Sequence, residues 1–261
     1  MLLTFNIGNR VISLGFVREG KVVARASLSS DKCRTADEYA LSLLSLLALH
    51  GLEKDAFKGA IGSSVVPHLT ETFRAAVSEA FSLRPHLLGS GLRTGLDIRT
   101  EDPSELGGDL VATAVGALTK YKGPIILVDF GTAITFSALS ADGAFLGCAI
   151  APGLSLFSSS LAEGAALLTD VSQGAPSSAI GKSTEKSLQS GRVFGTAAMV
   201  DGMVERVAKE MGGAPTVVLT GHSAKTVMPY LSIPATYAED LLFLGLEAIY
   251  QKNERKTSSR A

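Results

Sequence analysis

The chain holds 261 residues, 46% of them hydrophobic, enough to bury a sizeable core in one or two domains. Its 24 Lys plus Arg against 25 Asp plus Glu give a formal net charge of -1, which excludes a field strong enough to gather nucleic acid or an anionic membrane. Two cysteines, Cys33 and Cys148, are too few for a disulfide scaffold and lack zinc spacing, so a soluble protein of a reducing cytoplasm is expected.

The apolar run from Leu2 to Phe16 breaks at Asn6-Ile7-Gly8-Asn9-Arg10 and then resumes. The break comes too early for a signal-peptide core, and no run of ~18 apolar residues offers a membrane span. A first strand is therefore followed by strands Val11 to Phe16 and Lys21 to Ala26, joined by a turn at Arg18-Glu19-Gly20. From Thr35 to His50, Leu41, Leu44, Leu47 and Leu49 fall at helical spacing, with Asp31, Thr35 and Asp37 as candidate caps. The stretch "DPSELGGDLVATAVGAL" opens on Asp102-Pro103, a good cap and first-turn pair, which predicts a helix from near Pro103 to about Lys120. Further on, a long helix is expected over Ile180 to Met211 and a last one from Glu239 to about Lys252, followed by a polar, frayed end.

The order strand, glycine, strand, turn, strand occurs twice. In "IILVDFGTAITFSALSADGAFLGCAIAPG" the strands are Ile125 to Asp129, Ile134 to Leu139 and Ala144 to Ala151, with a turn at Asp142-Gly143. Asn6 then matches Asp129, Gly8 matches Gly131 and Gly20 matches Gly143, each pair 123 positions apart (129 − 6, 131 − 8, 143 − 20). A duplicated α/β unit follows: residues 1–120 form an N-terminal half, 121–253 a C-terminal half and 254–261 a polar tail. Each half also carries a later strand with a glycine at its C-terminal end, Gly62 in "GAIGSSVVP" and Gly221 in "VVLTGHSAK", where open α/β sheets form binding crevices.

A strand-glycine-strand hairpin exposes backbone N–H groups that can clasp phosphate oxygens, and two such hairpins facing each other make a nucleotide cleft. A carboxylate beside the phosphates would position a cation; Asp129 can do this and Asn6 cannot as a charged ligand. Asp109, in "LGGDL", falls inside the expected helix, where two glycines cost about 1 kcal/mol each relative to Ala. That cost points to a close approach to the helix backbone, with Asp109 as a general base; alternatively the helix starts at Asp109 itself. The stretch "PSSAIGKST" is not a phosphate-binding P-loop, since Pro176 stands where its first glycine belongs. His50, His68, His86 and His222 show neither metal nor triad spacing.

The first hairpin, "TGLDIR", "DPSELGGDL", "VDFGTAITF", "IAPG", "IGKSTEKSLQSG", "VDGMVERV" and "LLFLGLEAIY" together resemble type III pantothenate kinases in order and spacing, from Leu2 to about Asn253. The resemblance implies a duplicated actin-like ATPase (ribonuclease H-like) α/β fold, two similar halves around a nucleotide cleft. It implies ATP-dependent phosphorylation of pantothenate, the entry to coenzyme A synthesis, by a homodimer using Mg²⁺ and a monovalent cation, K⁺ or NH₄⁺. By position it assigns ATP binding to Asn6, Ile7, Gly8, Asn9, Arg10, Val11, Ile12, Ser13 and Thr132, and substrate binding to Gly107, Gly108, Asp109, Leu110 and Thr184. Asp109 is the implied catalytic base and Asp129 the implied monovalent-cation ligand. This chain departs from the family pattern at Asn6, where Asp is usual, at Arg10, where Thr is usual, and at Leu110, where Arg is usual. The first two changes favour holding an anion over holding Mg²⁺. The departures at Asn6 and Leu110 leave open a second reading, a kinase-fold paralogue that binds nucleotide or ligand, or regulates, without turnover.

Overall fold

The computed structural model of the chain describes residues 1–89, 91–164, 174 and 176–258. It divides into two compact units, one made of Met1–Leu96, Asp102–Lys120 and the segment from Asp240 onward, the other of Asp97–Glu101 and Tyr121–Glu239.

The first unit begins with β1 (Leu2–Ile7), β2 (Val11–Arg18), β3 (Lys21–Ser29) and α1 (Ala36–Leu49), and continues with β4 (Gly59–Ser64), α2 (Pro67–Phe81), the short β5 (His86–Leu87) and α3 (Gly108–Lys120). Its sheet runs in the order β3-β2-β1-β4-β5, antiparallel among β1 to β3 and parallel through β1, β4 and β5. Strand alternation divides the side chains of β1 between two cores. Leu3, Phe5 and Ile7 pack with Tyr39, Leu43 and Leu47 of α1 and with Leu69, Phe73 and Val77 of α2. Leu2 belongs to the opposite face with Ile61 and with Ala112 of α3, so by alternation Asn6 shares the α3 face. Of the three candidate caps of α1, Thr35 is the one used: it accepts from the N–H of Glu38, whose carboxylate accepts in turn from the N–H of Thr35.

The second unit repeats this topology with β6 (Ile125–Phe130), β7 (Ala133–Leu139), β8 (Phe145–Pro152), α4 (Leu154–Gly164), α5 (Thr184–Met211), β9 (Thr216–Thr220), α6 (Ala224–Val227) and β10 (Thr236–Tyr237). The order β8-β7-β6-β9-β10 matches β3-β2-β1-β4-β5 strand for strand, including the parallel pairs. Gly20 and Gly143 both adopt left-handed φ, 75° and 84°, which is why both turns need glycine. The constant spacing of 123 is interrupted between them. Asn6 pairs with Ser13 while Asp129 pairs with Thr135, and Ser13 and Thr135 lie 122 apart (135 − 13), so the second hairpin loop is one residue shorter. Ala197, Val200 and Val204 of α5 pack with Val128 and Phe130 of β6, and Asp129 therefore belongs to the other face of its sheet.

The last helix, α7 (Leu241–Ser258), belongs by packing to the first unit, so the expected second half, 121–253, gives up its C-terminal helix. It joins α3 on the α3 face of the first sheet, with Phe243, Leu244, Leu246 and Ile249 among its core residues. The helix also outruns its expected end at Lys252. Asn253 exchanges hydrogen bonds with the backbone of Arg93, its amide nitrogen donating to the carbonyl and its oxygen accepting from the N–H, both at 3.1 Å. The start of the expected polar tail is thus ordered helix, while residues 259–261 lie outside the described residues. Among the described residues no helix is long and apolar enough to cross a membrane.

Candidate active site

In the first unit the β1–β2 loop is Gly8-Asn9-Arg10. The N–H of Gly8 donates to the carbonyl of Val11 at 3.1 Å, and the carbonyls of Gly8 and Arg10 accept from the hydroxyl and the N–H of Ser30. A Cβ at Gly8 would stand 2.9 Å from the Val11 carbonyl, so the hairpin itself requires this glycine. Asn9, Arg10 and Val11 are exposed, Asn6 and Ser13 are half-buried partners across the hairpin, and Ile7 and Ile12 are fully buried. From Ile7 and Ile12, therefore, only the backbone can meet a ligand.

The start of α3 differs from both sequence expectations. Asp102 does act as a cap, accepting from the N–H of Ser104 at 2.8 Å, but it caps only a single 3-10 turn, Pro103–Glu105. The chain reopens at Leu106 and the α-helix begins at Gly108, which puts Asp109 in its first turn, neither in the interior nor at the cap. The two glycines escape the interior helix cost and serve packing instead. A Cβ on Gly107 would fall 2.6 Å from Asp109 Oδ1, and one on Gly108 would press at 3.3 Å on the Cβ atoms of Ser63 and Leu88. The close approach inferred from the sequence is thus made by the protein's own atoms.

Asp109 Oδ1 accepts from the N–H of Leu110 at 2.9 Å. Burial pushes the Asp109 carboxyl above the ordinary Asp range, only partly opposed by that backbone hydrogen bond. A carboxylate shifted in this way suits a general base. Ser63, the parallel partner of Asn6, donates from its hydroxyl to Asn6 Oδ1 at 2.8 Å and touches Gly108 on its other side. The first unit therefore brings Asn6, Gly107, Gly108, Asp109 and Leu110 to one end of one sheet face, with Ser63 as the link.

In the second unit Asp129, near the end of β6, lies directly opposite Thr135 on β7, and opposed residues of an antiparallel pair project to the same face. The Thr135 hydroxyl is buried with no hydrogen-bond partner. A carboxylate beside an orphaned hydroxyl oxygen is a donor set that fits a hard cation. Gly221, with φ of 89°, lies against the same place: a Cβ there would stand 2.5 Å from Asp129 Oδ1 and 2.6 Å from the Phe130 nitrogen. Its counterpart Gly62 has another reason, because it sits inside β4 where a Cβ would meet the Phe5 ring at 2.2 Å, so it serves the core and not a crevice. The β6–β7 loop holds Gly131 and Thr132. Gly153 donates its N–H to the Thr132 carbonyl at 3.1 Å, and a Cβ on it would strike the carbonyls of Thr132 and Gly131. A Cβ on Gly131, by contrast, would meet nothing nearer than 3.5 Å, which leaves room beside that backbone for a ligand. Thr184 is the exposed first residue of α5, after the cap Ser183.

Ser63, Thr135 and Gly153 escaped the sequence reading, since each acts through a partner far away in the chain. A divalent cation finds little at the first hairpin: position 6 is an amide whose oxygen is already engaged. Among the described residues no group of three or more His, Cys, Asp or Glu could hold a metal.

The profile of the type III pantothenate kinase family matches residues 2–206. The type III pantothenate kinase of Moorella thermoacetica is 37% identical over 253 residues, 97% of this chain and 100% of the relative. That of Pelobacter propionicus is 39% identical over 254 residues, again 97% and 100%. Among solved structures, the activator of the 2-hydroxyisocaproyl-CoA dehydratase from Clostridium difficile, with bound ADPNP, aligns over 99% of this chain and 97% of its own with a TM-score of 0.55 and 16% identity. That likeness concerns the fold alone, the duplicated actin-like ATPase fold. Matched along nearly its whole length, the chain belongs to the type III pantothenate kinase family.

Proposed function

We propose that the protein transfers the terminal phosphoryl group of ATP to the hydroxyl of pantothenate, giving ADP and phosphopantothenate, the first step toward coenzyme A. The observation that carries this reading is Asp109, a carboxylate raised by burial and held in the first turn of α3. As base it takes the hydroxyl proton while the substrate oxygen forms its bond to phosphorus and the bond to the ADP oxygen breaks. The backbone around Gly107, Gly108 and Leu110 lines the same helix start, whose N–H groups and dipole favour the negative end of a substrate. Thr184 is the further substrate contact in this reading. The residues of the β1–β2 loop in the first unit, and Thr132 in the second, are each assigned to ATP in this reading, with Mg²⁺ required for the transfer itself. Asp129 and Thr135 would hold the monovalent cation, K⁺ or NH₄⁺, which would supply positive charge for the transfer. The test is direct: purified protein with pantothenate, ATP, Mg²⁺ and K⁺ or NH₄⁺ should form phosphopantothenate, and absence of product in every cation condition overturns the reading. A binding protein without turnover has no observation in its favour.

The working unit in this reading is a cytoplasmic homodimer. Both cysteines are free and exposed, which suits a reducing compartment. Ser187, Gly191 and Gly195 recur every four residues on α5 and all are exposed. Their own fold does not demand glycine there: a Cβ on Gly195 would meet nothing within 4 Å, and one on Gly191 only the Phe157 ring at 3.7 Å. Close helix approach across a two-fold axis would use that spacing. Gly195→Leu should therefore convert dimer to monomer in light scattering without loss of folded structure, and a monomeric unsubstituted protein would remove the dimer from the reading.

A further inference from the structure

At the end of β1 an amide, Asn6, stands where an acid is usual in the family, and its surroundings fix how it is turned. Ser63 is fully buried, its hydroxyl donates to Asn6 Oδ1 at 2.8 Å, and Gly108 closes against it from α3. With its oxygen turned to Ser63, the Asn6 amide offers its two N–H donors elsewhere. No Asp or Glu occurs from Asn6 to Ser13, whereas Arg10 stands exposed in the loop. Within the hairpin, donors plus a guanidinium complement phosphate oxygens and disfavour a cation, and the carboxylate at this end of the sheet face, Asp109, comes from α3.

We propose that Asn6, oriented by Ser63, donates directly to a phosphate oxygen of the nucleotide, so that this hairpin binds the phosphate chain without a bridging metal ion. Ser63 is then a positioning residue for Asn6. The inference rests on the hairpin being the nucleotide site.

The experiment is calorimetric titration of the full chain with ATP and ADP, in Mg²⁺ and in excess chelator. The unsubstituted protein should bind both nucleotides with Kd values that differ by less than about threefold between the two conditions, under 1 kcal/mol. Asn6→Asp should lose affinity about tenfold or more in chelator and recover it in Mg²⁺, because a carboxylate repels bare phosphate and attracts the metal complex. Ser63→Ala should weaken binding several-fold in both conditions and have no further effect in an Asn6→Ala background, since a positioning residue acts only through its partner. Effects of Ser63→Ala and Asn6→Ala that simply add would overturn the positioning role. Nucleotide binding that requires Mg²⁺ in the unsubstituted protein would overturn the inference and leave the nucleotide site standing. If neither nucleotide binds in either condition, the nucleotide site itself falls and takes the inference with it.

Discussion

Asp109→Asn is expected to lower kcat by about 10²- to 10⁴-fold, the usual contribution of a general base, and at the same time to raise the melting temperature. Both effects come from one cause. The Asp109 carboxyl is raised by burial, so the folded protein binds its proton more tightly than the unfolded chain does. A carboxyl raised in this way contributes stability below its unfolded pKa, and that contribution is lost as pH rises through the folded pKa. At neutral pH the unsubstituted protein therefore carries a buried charge that the amide avoids, while the amide oxygen can still accept from the N–H of Leu110. The gap in melting temperature should widen as pH rises from the pKa of an unfolded aspartate through the raised pKa of the folded protein. In the unsubstituted enzyme kcat/KM should fall with acid at a higher pH than an ordinary aspartate would give. Thermal unfolding and rate profiles across that range check the pair, and a gap constant with pH, or an undiminished kcat, would remove Asp109 from the role of buried base.

Much of the fold was legible because its signals are local. The common spacing that pairs Asn6, Gly8 and Gly20 with Asp129, Gly131 and Gly143 announces the repeat, and the sheets realise it strand for strand. The cap of α1 was readable as a short list because Thr35 and Glu38 satisfy each other within one turn. The candidate site was legible only as a set of positions. That Gly107 makes room for the Asp109 carboxylate and Gly108 for Ser63 depends on which strand lies against α3, and a glycine written in a sequence does not say what it faces. The start of α3 was misplaced for the same reason. Asp102-Pro103 is a true local start signal, but the chain uses it for one 3-10 turn before the glycines open it again. Helical periodicity likewise locates the last helix without saying that it returns to the first unit, because that depends on long-range packing against Ala112 and Ile61.

The return of α7 brings the second large expected effect. Where α3 and α7 cross, a Cβ on Gly116 would stand 1.9 Å from the Leu241 carbonyl oxygen, and one on Gly245 would stand 1.8 Å from that of Ala112. Both obstacles are backbone, so no side-chain rotation can relieve them and the helices must separate. Overpacking of this kind costs typically 1–3 kcal/mol and occasionally more, and Gly245→Ala should fall at or above the top of that range, lowering the melting temperature by roughly 2–4 °C for each kcal/mol in a chain of this length. Helix propensity alone would predict the opposite sign, since alanine is favoured over glycine by about 1 kcal/mol in a helix interior. The sign of the change therefore reports the crossing. Because α3 carries Asp109 in its first turn, a displaced α3 should also lower kcat at temperatures where the variant is still folded, with little change in nucleotide affinity at the β1–β2 loop. Gly116→Ala should behave alike, and the double substitution should cost less than the two single changes added together, since helices already parted by one methyl have room for the other. Denaturant unfolding and steady-state kinetics on the three variants decide it. Unchanged or increased stability in Gly245→Ala would mean that the two backbones do not meet at Gly116 and Gly245.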